Sequence, residues 1–296
     1  MNFPLFTGCA TALITPFLPD GRLDEPALRR LLAMQIAAKM DALVLLGTTG
    51  EPCTLSMDER ERIIEIGLEC TGGSIPVIVG TGSNDTRRAI EYARQAQRLG
   101  AAGQLSVTPY YNKTTQSGLI RHYHAILDAC PLPMILYNVP GRTGIGIKPA
   151  TYKVLSKHPN INGVKEASGN IAEFALTRSI CGDDLVFWSG NDSDTVPMMA
   201  LGAVGVISVA SNIIPKDVAK LCELGLAGDF KAAAAEYFRL ADFFDKLFIE
   251  TNPIPVKTAM NVAGMNVGKL RLPLVDMDPA NLEKLKVSMR GVGLKV

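Results

Sequence analysis

Short apolar runs alternate with helical patterns almost from one end of this 296-residue chain to the other, and that alternation limits what it can fold into. Residues 10–15, 42–46, 76–79, 105–108, 134–137, 161–165, 185–189 and 204–209 read as strands, bounded by Gly, Pro, Asn or Asp. Helix starts lie between them: Asp24 ahead of Pro26, Ser56-Met57-Asp58-Glu59 with capping-box spacing, Asn84 and Asp85 before Arg87, and Ser193 or Asp194 before Met198. Continuously apolar strands flanked by helices imply a parallel sheet covered on its outside. Eight such units in roughly 220 residues is the repeat count of a closed (β/α)8 TIM barrel. A doubly wound open sheet is the alternative, but Gly-x-Gly-x-x-Gly after the first strand and Gly-Lys-Ser/Thr are both missing.

After about residue 215 the strand pattern stops, and residues 217–226, 229–248, 255–262 and 281–290 read as helices. The first completes a barrel spanning residues 1–226. Residues 227–296 are expected to form a C-terminal helical appendage packed on it, because no Pro/Gly/Ser-rich linker intervenes.

Thirty basic against 29 acidic residues, with no Lys/Arg-rich block, give no reason to expect nucleic acid or an anionic membrane surface as partner. There is no apolar run of about 18 residues to span a bilayer, and Met1-Asn2-Phe3-Pro4-Leu5-Phe6 lacks the basic-then-apolar form of a leader. A cytoplasmic protein is expected. Cys9, Cys53, Cys70, Cys130, Cys181 and Cys222 are widely spaced without a Cys-x-x-Cys pair, so they read as reduced thiols rather than zinc ligands or disulfides. His122 and His124 are two apart on a helix and point in different directions, and His158 lies in a turn beside Pro159. Metal binding and Ser-His or Cys-His chemistry are not expected.

Lys165 is the residue that demands a chemical reason. It closes the apolar strand Ile161-Asn162-Gly163-Val164-Lys165, and alternation puts it on one face with Gly163 and Ile161, the glycine leaving room beside the amine. Desolvation lowers an ammonium's pKa and frees a neutral amine to attack a ketone or aldehyde. The bland alternative is a lysine that reaches from the strand end to water.

Loops after strand C-termini build the active sites of such barrels, and here they carry a coherent set. Gly47-Thr48-Thr49-Gly50-Glu51 forms a tight turn whose amides and hydroxyls suit a carboxylate. Thr108-Pro109-Tyr110-Tyr111-Asn112 follows the fourth strand. Tyr137 ends the fifth, on one face with Ile135 and opposite to Leu136, and a phenol beside a lysine can move the protons that imine formation needs. Arg142, in the Gly-bracketed loop that follows, is a surface arginine or a two-point carboxylate clamp. Asn191, Asp192 and Asp194 make half a calcium loop, better read as helix capping.

Taken together, Gly47-Thr48-Thr49-Gly50-Glu51, Val107-Thr108-Pro109-Tyr110-Tyr111, Tyr137-Asn138-Val139-Pro140, Arg142-Thr143-Gly144, Gly163-Val164-Lys165-Glu166-Ala167, Ser189-Gly190, Gly205-Val206-Ile207-Ser208 and Asn252-Pro253-Ile254-Pro255-Val256-Lys257 resemble the dihydrodipicolinate synthase and N-acetylneuraminate lyase family of Schiff-base aldolases. The resemblance spans nearly the whole chain. It implies that Lys165 forms an imine with pyruvate, that Thr49 and nearby backbone hold the keto-acid carboxylate, and that Tyr137 is the acid/base. Thr48 would link Tyr137 to Tyr111 of a neighbouring subunit, making a homo-oligomer, either a dimer or a dimer of dimers, part of catalysis. Arg142 would bind the carboxylate of L-aspartate 4-semialdehyde, and Gly190 and Ile207 would line the pyruvate pocket. No metal or organic cofactor is implied, and the pathway would be lysine and diaminopimelate synthesis.

Sialic acid lyases and 2-keto-3-deoxy sugar acid aldolases of the same family share the lysine and the strand-five tyrosine, so these two residues leave that choice open. Arg142 and Tyr111 favour a short aldehyde bearing a carboxylate. A barrel that binds keto acids without catalysis is the alternative of another class. Lysine-inhibited relatives carry histidines and a glutamate at an effector site whose matching positions here are Met57, Arg60 and Arg88, with Asn84 and Tyr110 retained. Insensitivity to lysine is expected from the two cations.

Overall fold

The computed structural model describes residues 4–296; Met1, Asn2 and Phe3, part of the stretch read above for a leader, lie outside them. Eight parallel strands, β1 (Gly8–Ala12), β2 (Ala42–Leu45), β3 (Val77–Gly80), β4 (Gly103–Val107), β5 (Met134–Asn138), β6 (Ile161–Glu166), β7 (Val186–Ser189) and β8 (Gly205–Ser208), close into a barrel in sequence order. Strand β8 pairs back onto β1, with Ile207 opposite Ala10, which rules out the open sheet. Around them run α1 (Glu25–Ala37), α2 (Met57–Thr71), α3 (Thr86–Leu99), α4 (Gln116–Ala129), the single turn α5 (Pro140–Thr143), α6 (Pro149–Leu155), α7 (Ile171–Cys181), α8 (Thr195–Ala200) and α9 (Pro215–Leu226). Then follow α10 (Phe230–Lys246), α11 (Ile254–Val262) and α12 (Pro279–Gly291), with α10 against α8, α9 and α12.

Local signals fix most boundaries. Asp24 accepts from Ala27 N at 2.9 Å, both halves of the Ser56/Glu59 capping box form, and Asp85 rather than Asn84 caps α3. Asp194 stands at the start of α8 but caps nothing there; its carboxylate accepts instead from Asn191 Nδ2 at 2.7 Å. Strand β4 starts two residues before the apolar run, because the buried Gln104 spends its amide on Thr81 Oγ1 (2.8 Å) and Leu132 O (3.0 Å). A satisfied polar side chain can sit in a core without leaving an apolar signature.

Alternation sorts each strand's side chains. Ala10, Ala42, Val44, Ile78, Leu105, Ile135, Tyr137, Trp188 and Ile207 fill the barrel interior, while Leu43, Val79, Leu136, Val164, Phe187 and Val206 pack under the helices. Phe6 stacks on Trp188, centroids 4.9 Å apart, and both rings are buried. Among the described residues no helix is long and apolar enough to cross a membrane, and the six cysteines are unpaired.

Candidate active site

Lys165 reaches the barrel interior from the C-terminal half of β6, in register with Tyr137 on one neighbouring strand and Trp188 on the other. Its Nζ lies 4.5 Å from the Tyr137 ring centroid, and only 5% of the residue is exposed. Burial brings its pKa down to about 8; the Asp192 carboxylate opposes that shift and the Arg142 guanidinium adds to it. Roughly a tenth of the amine is therefore neutral at pH 7, enough to act as a nucleophile.

The glycine that leaves room for this side chain is Gly190, not Gly163. A Cβ at Gly163 would stand 2.5 Å from the Trp188 ring and 2.6 Å from Val186 O, so the indole occupies the space expected beside the amine. A Cβ at Gly190 would meet Lys165 Cε at 3.1 Å and Ala167 Cβ at 2.6 Å.

Tyr137 lies beside Thr48, and burial pushes its phenol above the ordinary range, with Arg142 and the Thr48 hydroxyl pulling the other way. Thr48 and Thr49 sit on a single 3-10 turn, Thr48–Gly50, after β2. Thr49 is buried, and its Oγ1 accepts from Asn252 Nδ2 at 3.0 Å. Arg142 projects from α5 and donates through Nη2 to Asn252 O at 3.1 Å, so one residue ahead of α11 touches both expected carboxylate binders. Ile207 lies inside the barrel on β8. Thr48, Tyr137, Arg142 and Asn252 line a cavity of about 360 Å³ that continues to Arg60, Tyr92 and Tyr110.

Tyr111 is not brought to this cavity by its own chain. It is 91% exposed and holds a φ of 67°, a left-handed conformation rare for an aromatic residue. Of the three expected effector positions only Arg60 faces the cavity. Arg88 is half exposed and pairs with Glu91 at 3.2 Å, and Met57 lines a separate surface groove.

Two buried carboxylates carry parts that sequence reading missed or misassigned. Glu166 points away from Lys165 and accepts from Asn138 Nδ2 (3.0 Å to each oxygen), Tyr152 Oη (3.1 Å) and Ser168 N (2.8 Å). It ties the ends of β5 and β6 together and so fixes Tyr137 beside Lys165. A second ionisable residue in a buried strand was the available signal. Asp192, read as a helix cap, instead accepts from Ser208 Oγ, Val209 N (3.1 Å) and Ala210 N (3.0 Å). It joins the loop after β7 to the end of β8, a partnership only the closed barrel creates.

An amine held partly neutral beside a phenol, at the strand C-termini of a (β/α)8 barrel, defines a protein equipped to form imines with carbonyl compounds. The chain belongs to the Dihydrodipicolinate synthetase family, whose model matches residues 5–291. It is 48% identical over 291 residues to 4-hydroxy-tetrahydrodipicolinate synthase 1 of Clostridium acetobutylicum, covering 98% of this chain and 99% of that one. The crystal structure of dihydrodipicolinate synthase from Aquifex aeolicus superposes with a TM-score of 0.95 at 42% identity, over 98% of this chain and 99% of that one. The chloride-inhibited enzyme from Acinetobacter baumannii, complexed with pyruvate, does so with a TM-score of 0.95 at 40% identity, over 97% and 99%.

Proposed function

We propose that this chain is a 4-hydroxy-tetrahydrodipicolinate synthase, a lyase that condenses pyruvate, bound as an imine, with L-aspartate 4-semialdehyde in the cytoplasm. The observation that carries the reading is the buried Lys165 amine beside Tyr137, supported by full-length similarity to synthases. In this reading neutral Lys165 adds to the keto carbon of pyruvate. Tyr137 supplies the proton with which the carbinolamine loses water, and its high pKa keeps it protonated until then. The Thr49 turn holds the keto-acid carboxylate. The iminium withdraws electrons from the adjacent methyl, a proton leaves, and the enamine carbon attacks the aldehyde. The substrate's own amine then displaces Lys165 and closes the ring.

Arg142 gives the aldehyde's carboxylate a two-point partner, which favours this substrate over a polyhydroxylated sugar. Tyr111 completes the relay through Thr48 from a second copy of the chain; its exposure and left-handed backbone are what a residue fixed by a partner would show. Borohydride reduction with pyruvate tests the first half of this reading and should add one reduced pyruvyl group at Lys165. A panel of aldehydes tests the second. Turnover of a sugar aldehyde in preference to aspartate semialdehyde would move the chain to the lyase branch, and absence of any adduct would leave a keto-acid binder.

A further inference from the structure

The least accessible ion pair among the described residues lies outside the reacting groups and ties the C-terminal region to the catalytic turn. Lys257, on α11, donates through Nζ to Glu51 Oε1 at 2.8 Å, to Thr15 O at 3.0 Å and to Lys269 O at 2.9 Å. The side chains of Lys257 and Glu51 are each 1% exposed. Glu51 Oε2 accepts from Arg271 N at 3.0 Å. All three ammonium protons are therefore used, and each carboxylate oxygen has a donor.

Glu51 ends the turn that bears Thr48 and Thr49. It holds a φ of 54°, and Leu46, just before the turn, holds 58°. Both are left-handed conformations that a side chain other than glycine, asparagine or aspartate adopts only when its surroundings impose them. The turn is held from outside along its length: Thr15 Oγ1 donates to Gly50 O at 2.7 Å, Asn252 Nδ2 to Thr49 Oγ1 at 3.0 Å, and Lys257 to Glu51. A buried ion pair is weak as a source of stability, because desolvation of both charges offsets their attraction. What such a pair does supply is one geometry, since the fully bonded arrangement has no close competitor.

Resting on the function proposed above, we infer that Lys257 and Glu51 are positioning residues. They hold the strained turn so that Thr48 meets the Tyr137 hydroxyl and Thr49 meets the keto-acid carboxylate. The helical region after residue 226 is then part of the active site's construction and not only a cover for the barrel.

The test is the double variant Lys257→Met/Glu51→Leu, which replaces the pair by apolar side chains of similar volume and leaves no buried charge alone. It is compared with the wild type in thermal midpoint, in KM for pyruvate, in kcat and in borohydride-trapped adduct at saturating pyruvate. The expected result is a folded protein that still forms the adduct, with KM for pyruvate raised about tenfold or more and kcat lowered about tenfold or more. Wild-type KM and kcat in a folded double variant would overturn the inference, and so would failure of that variant to fold, since either assigns the pair to structure alone. If the wild type itself forms no adduct, it is the proposed function that fails. The positioning claim is then decided by a crystal structure of the double variant, where an unmoved Thr48–Gly50 turn, with Thr49 still bonded to Asn252 and Thr48 still beside Tyr137, would refute it.

Discussion

The Lys165 amine lies 4.5 Å from the centre of the Tyr137 ring, the two residues being register partners on adjacent strands. Neither is placed by a loop. Rigid strand ends, tied further by Glu166 to Asn138, set the separation of the proposed nucleophile and the proposed acid/base to the precision that proton transfer requires.

Lys165→Met should abolish the borohydride-trapped adduct and at the same time stabilise the fold. The lysine pKa is depressed to about 8 in the native protein from an ordinary 10.5, so between those values the unfolded chain binds the extra proton and wild-type stability rises with pH. Below about pH 8 the full penalty, roughly 3 kcal/mol, is present. Denaturant melts at pH 7 should show the variant more stable by up to that amount, with the gap closing toward pH 10.5. In the wild type, kcat/KM for pyruvate should climb with pH to about 8 and then level.

Tyr137→Phe removes the hydroxyl that meets Thr48 and keeps the ring that packs in the barrel. Turnover should drop by about 10²–10⁴-fold, with the melting temperature nearly unchanged. Steady-state rates within a factor of two of wild type would remove Tyr137 from the proposed role.

Gly190→Ala places a methyl 2.6 Å from Ala167 Cβ and 3.1 Å from Lys165 Cε. Overpacking there should cost about 1–3 kcal/mol and displace the lysine. The rate of imine trapping, followed by mass spectrometry over time, should fall more than equilibrium stability alone would explain.

Millimolar L-lysine should leave the initial rate unchanged. The cation responsible is Arg60 alone: it is 2% exposed, stacks 3.8 Å from the Tyr92 ring centroid and donates to Gly80 O at 2.7 Å. Burial lowers its pKa to about 10, so it is charged at neutral pH and opposes a second cation in the cavity by roughly 1–4 kcal/mol at close range. Saturable inhibition by lysine would contradict this.

Mixing inactive Tyr111→Phe and Lys165→Ala subunits should restore activity. If Tyr111 serves a neighbour's site, a mixed pair contains one site with both groups intact; if it acts within its own chain, no mixture regains turnover. Co-expression with two affinity tags, followed by assay of the doubly selected species, separates these outcomes.

The amino-acid order by itself determined the barrel. Period-two and helical patterns are local, and eight repeats of one unit leave few ways to close, so Lys165, Tyr137, Thr48, Thr49 and Arg142 could be placed at the strand ends from their neighbours in the chain. Tertiary structure alone decided what surrounds them. That Gly190 and not Gly163 makes room for the lysine, that Asp192 joins β7 to β8, and that Asn252 and Lys257 grip a turn some 200 residues earlier all depend on closure. Closure brings together groups whose separation along the chain carries no periodic signal, and buried polar residues announce their partners only once those partners are near.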